Sequence, residues 1–225
     1  MVWIIFIAIT LVSYLVQNSL KSKFQRYSQI PIGGGLTGRD VAERMLRENG
    51  IYDVTVQPTN GMLTDFYNPA DHTVNLSEAV YGSCSVAAAA VAAHECGHAV
   101  QHATRYPFLQ MRSKLVPVVN FASQWVMWVI FAGILMINSF PQLLAVGIGL
   151  FALTTLFSFI TLPVEINASM RAVAWLNRTG ITDGQTHAYA CDALKSAAYT
   201  YVVAALGSLA TLIYYVLIFM GGRRD

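Results

Sequence analysis

The sequence has few charged side chains, and this scarcity excludes an ordinary soluble protein. Charged residues make up 12% of the 225 positions and hydrophobic residues 55%, whereas a soluble domain carries about 25% charged residues. Residues 115–164 contain no Asp, Glu, Lys or Arg. A run of this length is enough for two membrane-spanning helices of about 20 residues each, with a turn between them. The composition therefore predicts a membrane protein.

Cysteine is also scarce, and the three thiols do not indicate a disulfide framework. Cys84, Cys96 and Cys191 show no CxxC spacing. The formal net charge is only +2, and the basic residues are scattered along the chain. This pattern gives no support for nucleic-acid binding. Basic side chains that flank apolar segments favour contact with anionic lipid headgroups instead.

One short segment contains the residues that are most typical of a catalytic metal site. His94-Glu95-Cys96-Gly97-His98 has the HExxH pattern, which on a helix places both histidines on one face with the glutamate beside them. Two imidazoles in this arrangement hold a zinc ion, and the glutamate acts as general base. The alanine-rich segment before it predicts a helix that Ser85 caps. Cys96 points away from the histidine face and is expected to be a packing residue.

A catalytic zinc requires a third protein ligand, and the sequence offers one glutamate for this role. The extended pattern HExxHxxGxxH is absent, because Gln101 and Thr104 stand where it has Gly and His. Glu165 is the only glutamate after the motif, and Pro163 suits the first turn of a helix around it. The alternative is that Glu165 is exposed to solvent and only interacts favourably with the positive end of the helix dipole. The expected ligands of one Zn²⁺ ion are His94, His98 and Glu165.

These motifs resemble the YugP-type family of bacterial membrane zinc metallopeptidases. The resemblance extends over the whole chain, and its main matches are residues 92–102 (AAHECGHAVQH), 162–165 (LPVE) and 168–172 (ASMRA). It implies a gluzincin-like catalytic core related to the HtpX and Ste24 membrane peptidases. It also implies, position by position, that the general base is Glu95 and that the zinc ligands are His94, His98 and Glu165.

Three positions depart from the family pattern. Many gluzincins carry Asp four residues after the ligand glutamate, where this chain has Ser169. Asn167 and Phe66 occupy positions that are often Asp and His in the YugP-type family. Ser169 follows Glu165 by one helical turn, so that it can orient a zinc ligand through a hydrogen bond. The departures affect the surroundings of the three ligands and leave the ligands themselves intact.

Four apolar segments predict four transmembrane helices, at residues 1–20, 115–138, 142–162 and 198–220. The first is expected to be a retained anchor, because its basic residues follow the apolar core, unlike those of a signal peptide. Residues 21–114 then form the first part of a catalytic domain, with the HExxH helix, and residues 163–197 form the second part, with Glu165. The expected fold is a mainly α membrane protein with an α+β, gluzincin-like metallopeptidase domain.

The distribution of Lys and Arg predicts the orientation in the membrane. With four spans, most basic residues lie in residues 21–114 and 163–197, and the opposite side carries only Arg223 and Arg224. Basic segments beside membrane spans favour the cytoplasmic side. We therefore expect a multi-pass protein of the bacterial plasma membrane whose catalytic domain faces the cytoplasm. Reduced cysteines agree with that compartment.

Secondary structure is also predicted before the motif. Thr37 and Asp40 predict a capping box for a helix that ends near Asn49. Residues 51–57 predict a strand, and residues 63–67 and 72–76 predict a β-hairpin. The hairpin directly precedes the HExxH helix. It either offers an edge strand to an extended peptide or only completes a small sheet.

Several further side chains are candidates for supporting roles. His102 lies one turn beyond the motif and either contacts the metal or caps the helix end. His187 and Tyr189 are candidates for a hydrogen bond to the oxyanion during peptide hydrolysis. Arg171 either positions substrate or pairs with an acidic residue, the pairing being the favoured role. His72 is expected on the hairpin surface.

The sequence favours a zinc endopeptidase that cleaves membrane or membrane-proximal proteins, and two alternatives stay open. A site-2-type intramembrane protease also uses HExxH, with a distant aspartate ligand that Asp183 superficially resembles. However, Asp183 follows a polar stretch and not an apolar span. The other alternative is a non-catalytic membrane scaffold with a vestigial zinc site. The expected partners are the lipid bilayer and a peptide or membrane-protein substrate.

Overall fold

The computed structural model describes the backbone of residues 2–61 and 63–221 and the side chains of residues 6–61 and 63–221. In chain order the elements are α1 (Val2–Tyr27), a 3₁₀ turn (Gly33–Gly35), α2 (Gly38–Glu48), β1 (Thr55–Thr59), β2 (Phe66–Asn68), β3 (Thr73–Ser77), α3 (Glu78–Tyr81), α4 (Val86–Ala103), α5 (Pro107–Leu135), α6 (Pro141–Arg178) and α7 (Gly184–Gly221). The protein is mainly helical and has one small sheet, as its sequence predicts.

The segment before the motif folds into α2 and a three-stranded sheet. The predicted capping box of α2 is present: the Thr37 hydroxyl accepts the Asp40 N–H at 3.2 Å, and the Asp40 carboxylate accepts the Thr37 N–H at 2.8 Å. The strand order is β1-β3-β2, with β1 parallel and β2 antiparallel to β3. The predicted hairpin is therefore confirmed as β2 and β3. The strand predicted at residues 51–57 begins later, at Thr55.

Helix α4 lies in the centre of the larger hydrophobic core. It packs against α2, α6 and α7, and nearly all of its alanines are buried. Alanine side chains are small, so neighbouring helices can approach α4 closely. Ser85 caps the helix as predicted, because its hydroxyl accepts the Ala88 N–H at 3.2 Å. Cys96 is fully buried, and its thiol contacts the Ala42 carbonyl oxygen at 3.5 Å, which confirms the predicted packing role.

Among the described residues, three helices are long and apolar enough to cross a membrane: α5, α6 and α7. Residues 136–140 connect α5 to α6 at the predicted turn. The first predicted span falls on α1, which is also a helix, but its role as a fourth span stays a prediction. Arg223 and Arg224, on which the orientation partly depends, lie outside the described residues.

Helix α6 differs from the expectation that a new helix begins at Pro163. It is continuous from Pro141 to Arg178, and Pro163 lies in its interior. An interior proline removes one backbone hydrogen bond, which neighbouring helices and local adjustments compensate in a membrane protein. Glu165 therefore lies on the same helix as the preceding apolar segment. In α7 the segment with His187 continues without a break into the last apolar segment.

The long helices follow one another in a row. Helix α5 packs against α6, α6 against α7, and α7 against α1. Two glycines bring α5 and α6 close together: a Cβ atom at Gly133 would stand 2.6 Å from the Leu144 backbone, and one at Gly147 would stand 2.8 Å from the Ile130 side chain. Among the described residues, α5 and α7 make at most marginal contact with each other. Helix α6 therefore separates the two.

Candidate metal centre

Three potential metal ligands converge where α4 crosses α6. His94 and His98 lie one turn apart on α4, and Glu165 reaches them from α6. The Glu165 Oε2 atom is 3.3 Å from His94 Nε2 and 3.5 Å from His98 Nε2. All three ligand atoms lie within 4.8 Å of one another. The His98 and Glu165 side chains are buried, and His94 is nearly so.

The spacing and chemistry of these side chains fit one zinc ion. Ligand atoms that are about 2.0–2.1 Å from a tetrahedral zinc lie about 3.3–3.4 Å apart. The two carboxylate–imidazole separations, 3.3 and 3.5 Å, are close to that value. Two imidazole nitrogens and one carboxylate oxygen are also the donor set of His₂Glu catalytic sites, which keep a fourth position open. His94, His98 and Glu165 are thus able to hold a zinc ion.

Each histidine is oriented by a hydrogen bond at its other ring nitrogen. Ser169 Oγ lies 3.1 Å from His94 Nδ1, and Gln101 Oε1 lies 3.1 Å from His98 Nδ1. Both Nε2 atoms are therefore left for the centre of the cluster. The predicted contribution of Ser169 as an orienting side chain agrees with this contact. No orienting role was predicted for Gln101.

Gln101 also links α4 to α6. Its side-chain amide nitrogen donates to the Val164 carbonyl oxygen at 2.8 Å and to Asn167 Oδ1 at 3.0 Å, and the side chain is fully buried. A polar side chain three residues after His98, on the same helix face, is the sequence signal that could have indicated this contact. Asn167 Oδ1 also accepts the Arg171 Nε–H at 2.8 Å. Arg171 therefore pairs with an amide, and it has no acidic partner among the described residues.

The close approach of the two helices depends on Gly97. A Cβ atom at this position would stand 2.7 Å from the Ala168 carbonyl oxygen. Real Cβ atoms do not come this close to a backbone oxygen, so any side chain at position 97 would push α4 away from α6. Because the histidines lie on one helix and Glu165 on the other, such a displacement would separate the three ligand atoms.

Glu95 lies beside the three potential ligands and is held by the hairpin. Its Oε2 atom accepts the Tyr67 N–H of β2 at 3.0 Å. Burial raises the pKa of the Glu95 carboxyl, and the neighbouring His94 and His98 oppose that rise. The β-hairpin therefore has a second role besides completing the sheet, since it orients the glutamate of the HExxH motif.

A pocket of about 620 Å³ opens in front of the cluster. The motif and Glu165 form its inner end, and other elements form its walls: Phe66 and Tyr67 of β2, Leu109, Arg112 and Val116 of α5, and Tyr201 of α7. Arg112 Nη1 lies 3.6 Å from Glu165 Oε1, the carboxylate oxygen that faces away from the histidines. Residues of all three candidate membrane spans, α5, α6 and α7, therefore contribute to the pocket.

The two candidates for the oxyanion donor, His187 and Tyr189, both lie away from the pocket. His187 Nδ1 contacts the Thr182 hydroxyl at 3.1 Å, and the Tyr189 ring stacks on Tyr27 with centroids 4.9 Å apart. Neither residue lines the pocket. Tyr201, which is further along the same helix, does line it. No sequence pattern distinguishes Tyr201 from the other tyrosines of α7.

The remaining candidates, His102, His72 and Asp183, lie outside the ligand cluster. His102 lines the outer part of the pocket, where its Nδ1 atom lies 2.8 Å from the Tyr67 hydroxyl, and it is outside the ligand cluster. His72 is partly exposed on the hairpin, as predicted, with its Nδ1 atom 2.8 Å from Asp53. The ligand cluster is the one group of three such side chains among the described residues, and Asp183 is not part of it.

Comparison with known proteins identifies relatives along the whole chain. Residues 2–220 match the protein family described as "Putative neutral zinc metallopeptidase". The chain is also 44% identical over 213 residues to the "Putative membrane protease YugP" of Bacillus subtilis (strain 168), an alignment that covers 95% of this chain and 94% of the relative. No solved structure gives a significant match.

Proposed function

Because the chain belongs to the neutral zinc metallopeptidase family, we propose that it is a membrane-embedded zinc endopeptidase. The observation that carries the proposal is the convergence of His94, His98 and Glu165 beside the buried Glu95. Its substrates are membrane or membrane-proximal proteins, since candidate membrane spans form walls of the pocket. The catalytic domain faces the cytoplasm of a bacterial cell, on the basis of the Lys and Arg distribution.

In the proposed mechanism, His94, His98 and Glu165 hold one zinc ion and Glu95 moves the proton. When bound, zinc supplies a Lewis acid that polarises the scissile carbonyl and lowers the pKa of water. Glu95 accepts the proton of the attacking water and transfers it to the amine nitrogen that leaves. The hydrogen bond from Tyr67 N–H keeps the carboxylate oriented toward the pocket. Low exposure of these side chains strengthens their electrostatic interactions.

An extended substrate is proposed to lie along β2. This strand is at the edge of the described sheet, and Phe66 and Tyr67 line the pocket beside the motif. Edge strands bind extended peptides through backbone hydrogen bonds, and adjacent pockets receive the side chains. Of the two roles considered for the hairpin, substrate binding is therefore the one we favour.

The proposal is tested by zinc analysis and proteolysis of the purified full-length protein. We expect one equivalent of zinc, cleavage of casein, loss of cleavage after treatment with a chelator, and recovery when zinc is added back. A protein that retains zinc but cleaves neither casein nor a membrane protein would instead support the scaffold with a vestigial site. Cleavage that persists at full rate without metal would exclude the proposed mechanism.

Tyr201 is the proposed hydrogen-bond donor to the developing oxyanion, because its hydroxyl-bearing side chain lines the pocket with Glu165. We expect Tyr201→Phe to lower kcat by about 10²-fold, with little change in KM or zinc content. Tyr199→Phe is the matched control, since Tyr199 is on the same helix but does not line this pocket. Equal rates for Tyr201→Phe and the wild type would remove Tyr201 from the mechanism.

Gln101 is proposed to position the metal ligands. We expect Gln101→Leu to weaken zinc binding by about 10–100-fold, the usual effect of losing a side chain that orients a ligand. The measurement is zinc affinity in competition with a chelator. Gln101→Glu is informative as a second variant, because it keeps an acceptor for His98 but has no N–H for the Val164 carbonyl. Unchanged affinity in Gln101→Leu would show that the contact serves packing alone.

A further inference from the structure

The side of α5 that lines the pocket carries polar side chains further along the candidate membrane span. Leu109, Arg112 and Val116 line the pocket. At 3.6 residues per turn, positions four and seven residues beyond Val116 lie on the same side of the helix. These positions hold Asn120 and Ser123, and Gln124 lies next to them. All three are exposed, and together they form the polar stripe of α5.

The polar stripe borders the face on which α5 packs. The buried residues of α5 are Val119, Ala122, Val126, Ile130 and Gly133, and their face includes the contacts with α6. Ser123 lies at the edge of that face, and Asn120 and Gln124 are turned further away from it. The Ser123 hydroxyl donates only to the Asn120 carbonyl oxygen of its own helix, at 3.0 Å. Among the described residues, the Asn120 and Gln124 side-chain amides have no hydrogen-bond partner.

Exposed amides are unfavourable on a helix surrounded by lipid. Polar side chains within membrane spans almost always face a water-filled cavity, another helix or a bound partner. In this protein the stripe is on the same side of α5 as Arg112 and Val116, one to two turns further along the helix. We therefore expect it to line an extension of the pocket and not to face acyl chains.

The packing of the spans indicates a lateral opening beside the polar stripe. Both α5 and α7 pack on α6 but make at most marginal contact with each other. Arg112 of α5 and Tyr201 of α7 nevertheless line one pocket. We therefore expect a cleft between α5 and α7 that leads from the pocket toward the region of the bilayer.

We propose that this cleft receives an unwound part of a transmembrane segment of the substrate protein. A backbone that leaves its helix within the bilayer needs new hydrogen-bond partners, because lipid offers none. Asn120, Ser123 and Gln124, which are exposed on α5, supply donors and acceptors along one wall of the cleft. The segment then reaches Glu95 in extended form. This inference rests on the proposed peptidase function and specifies the substrate as a membrane-spanning segment entered from the side.

The test compares two substrates of the full-length protein in lipid nanodiscs. One is a single-span reporter protein with a Gly-Pro pair at the end of its span, and the other is casein. We expect the triple variant Asn120→Leu, Ser123→Ala, Gln124→Leu to lower the ratio of reporter cleavage to casein cleavage by about tenfold, since intramembrane hydrogen bonds are individually modest. Gln110→Leu is the matched control, because Gln110 is exposed on α5 but does not line the pocket.

Each outcome separates this inference from the proposed function. If the wild type cleaves casein and not the reporter, or if the ratio is unchanged in the triple variant, the cleft is not the substrate entrance and the peptidase function stands. If the triple variant changes the oligomeric state, the polar stripe is an interface between copies of the chain, and the inference is wrong. If the zinc-loaded wild type cleaves neither substrate, the proposed function itself fails, and the inference fails with it.

Discussion

Glu95→Gln is expected to lower casein cleavage by about 10²–10⁴-fold, the range that general acid–base catalysis contributes, while zinc content stays at the wild-type level. The substitution preserves the shape of the side chain and keeps an oxygen that can accept the Tyr67 N–H. It removes the group that exchanges a proton with the attacking water. The measurements are the cleavage rate and the zinc content of the same purified sample.

The comparison that makes this result specific uses a shorter acid at the same position. Glu95→Asp retains a carboxylate but withdraws it by one methylene, so that cleavage is expected to fall less than in Glu95→Gln. A Glu95→Gln protein that cleaves casein at the wild-type rate would rule out Glu95 as the general base. Loss of zinc in Glu95→Gln would instead indicate that the substitution disturbs the ligand cluster.

Glu165→Ala is expected to weaken zinc binding by about 10²–10³-fold and to abolish cleavage. Structural zinc sites bind with about 10–16 kcal/mol over four ligands, or roughly 3–4 kcal/mol for each ligand. Glu165 supplies the only carboxylate of the cluster, and its removal leaves two imidazoles facing a buried space. The measurement is zinc affinity by competition with a chelator, made in parallel with the casein assay.

Two control variants separate this prediction from its alternatives. Glu78→Ala removes an exposed glutamate of α3 and is expected to leave zinc affinity unchanged. Asp183→Ala removes the residue that a site-2-type intramembrane protease would use, and it too is expected to retain zinc. If Asp183→Ala loses zinc and Glu165→Ala keeps it, the assignment of the third ligand is wrong and the intramembrane alternative is favoured.

The elements that sequence patterns predicted correctly have local causes. The capping box at Thr37 depends on residues three apart, and the hairpin depends on a short turn between alternating segments. The helix that carries His94 and His98 follows from alanine propensity and the Ser85 cap. Pro163 was misassigned because the sequence shows a helix-start residue but not the neighbouring helices that support it inside α6.

The metal ligands could be predicted from the sequence, whereas the side chains that support them could not. The chemistry of zinc restricts the ligands to few residue types, and a chain with a single later glutamate offers little choice for the third. Supporting contacts use common residues and have no such restriction. The roles of Gln101 and Tyr201 were therefore not predicted, and the two candidates for the oxyanion role, His187 and Tyr189, contact other partners.

Amino-acid order alone was sufficient to establish the apolar character of the long helices, the zinc-type motif and the family resemblance, because each depends on composition or on spacings of a few residues. Only the folded chain decided that Gly97 lets α4 approach Ala168, that Gln101 donates to the Val164 carbonyl oxygen of α6, and that spans contribute to the pocket. These contacts join residues dozens of positions apart, and their geometry results from the packing of whole helices, which no local spacing encodes.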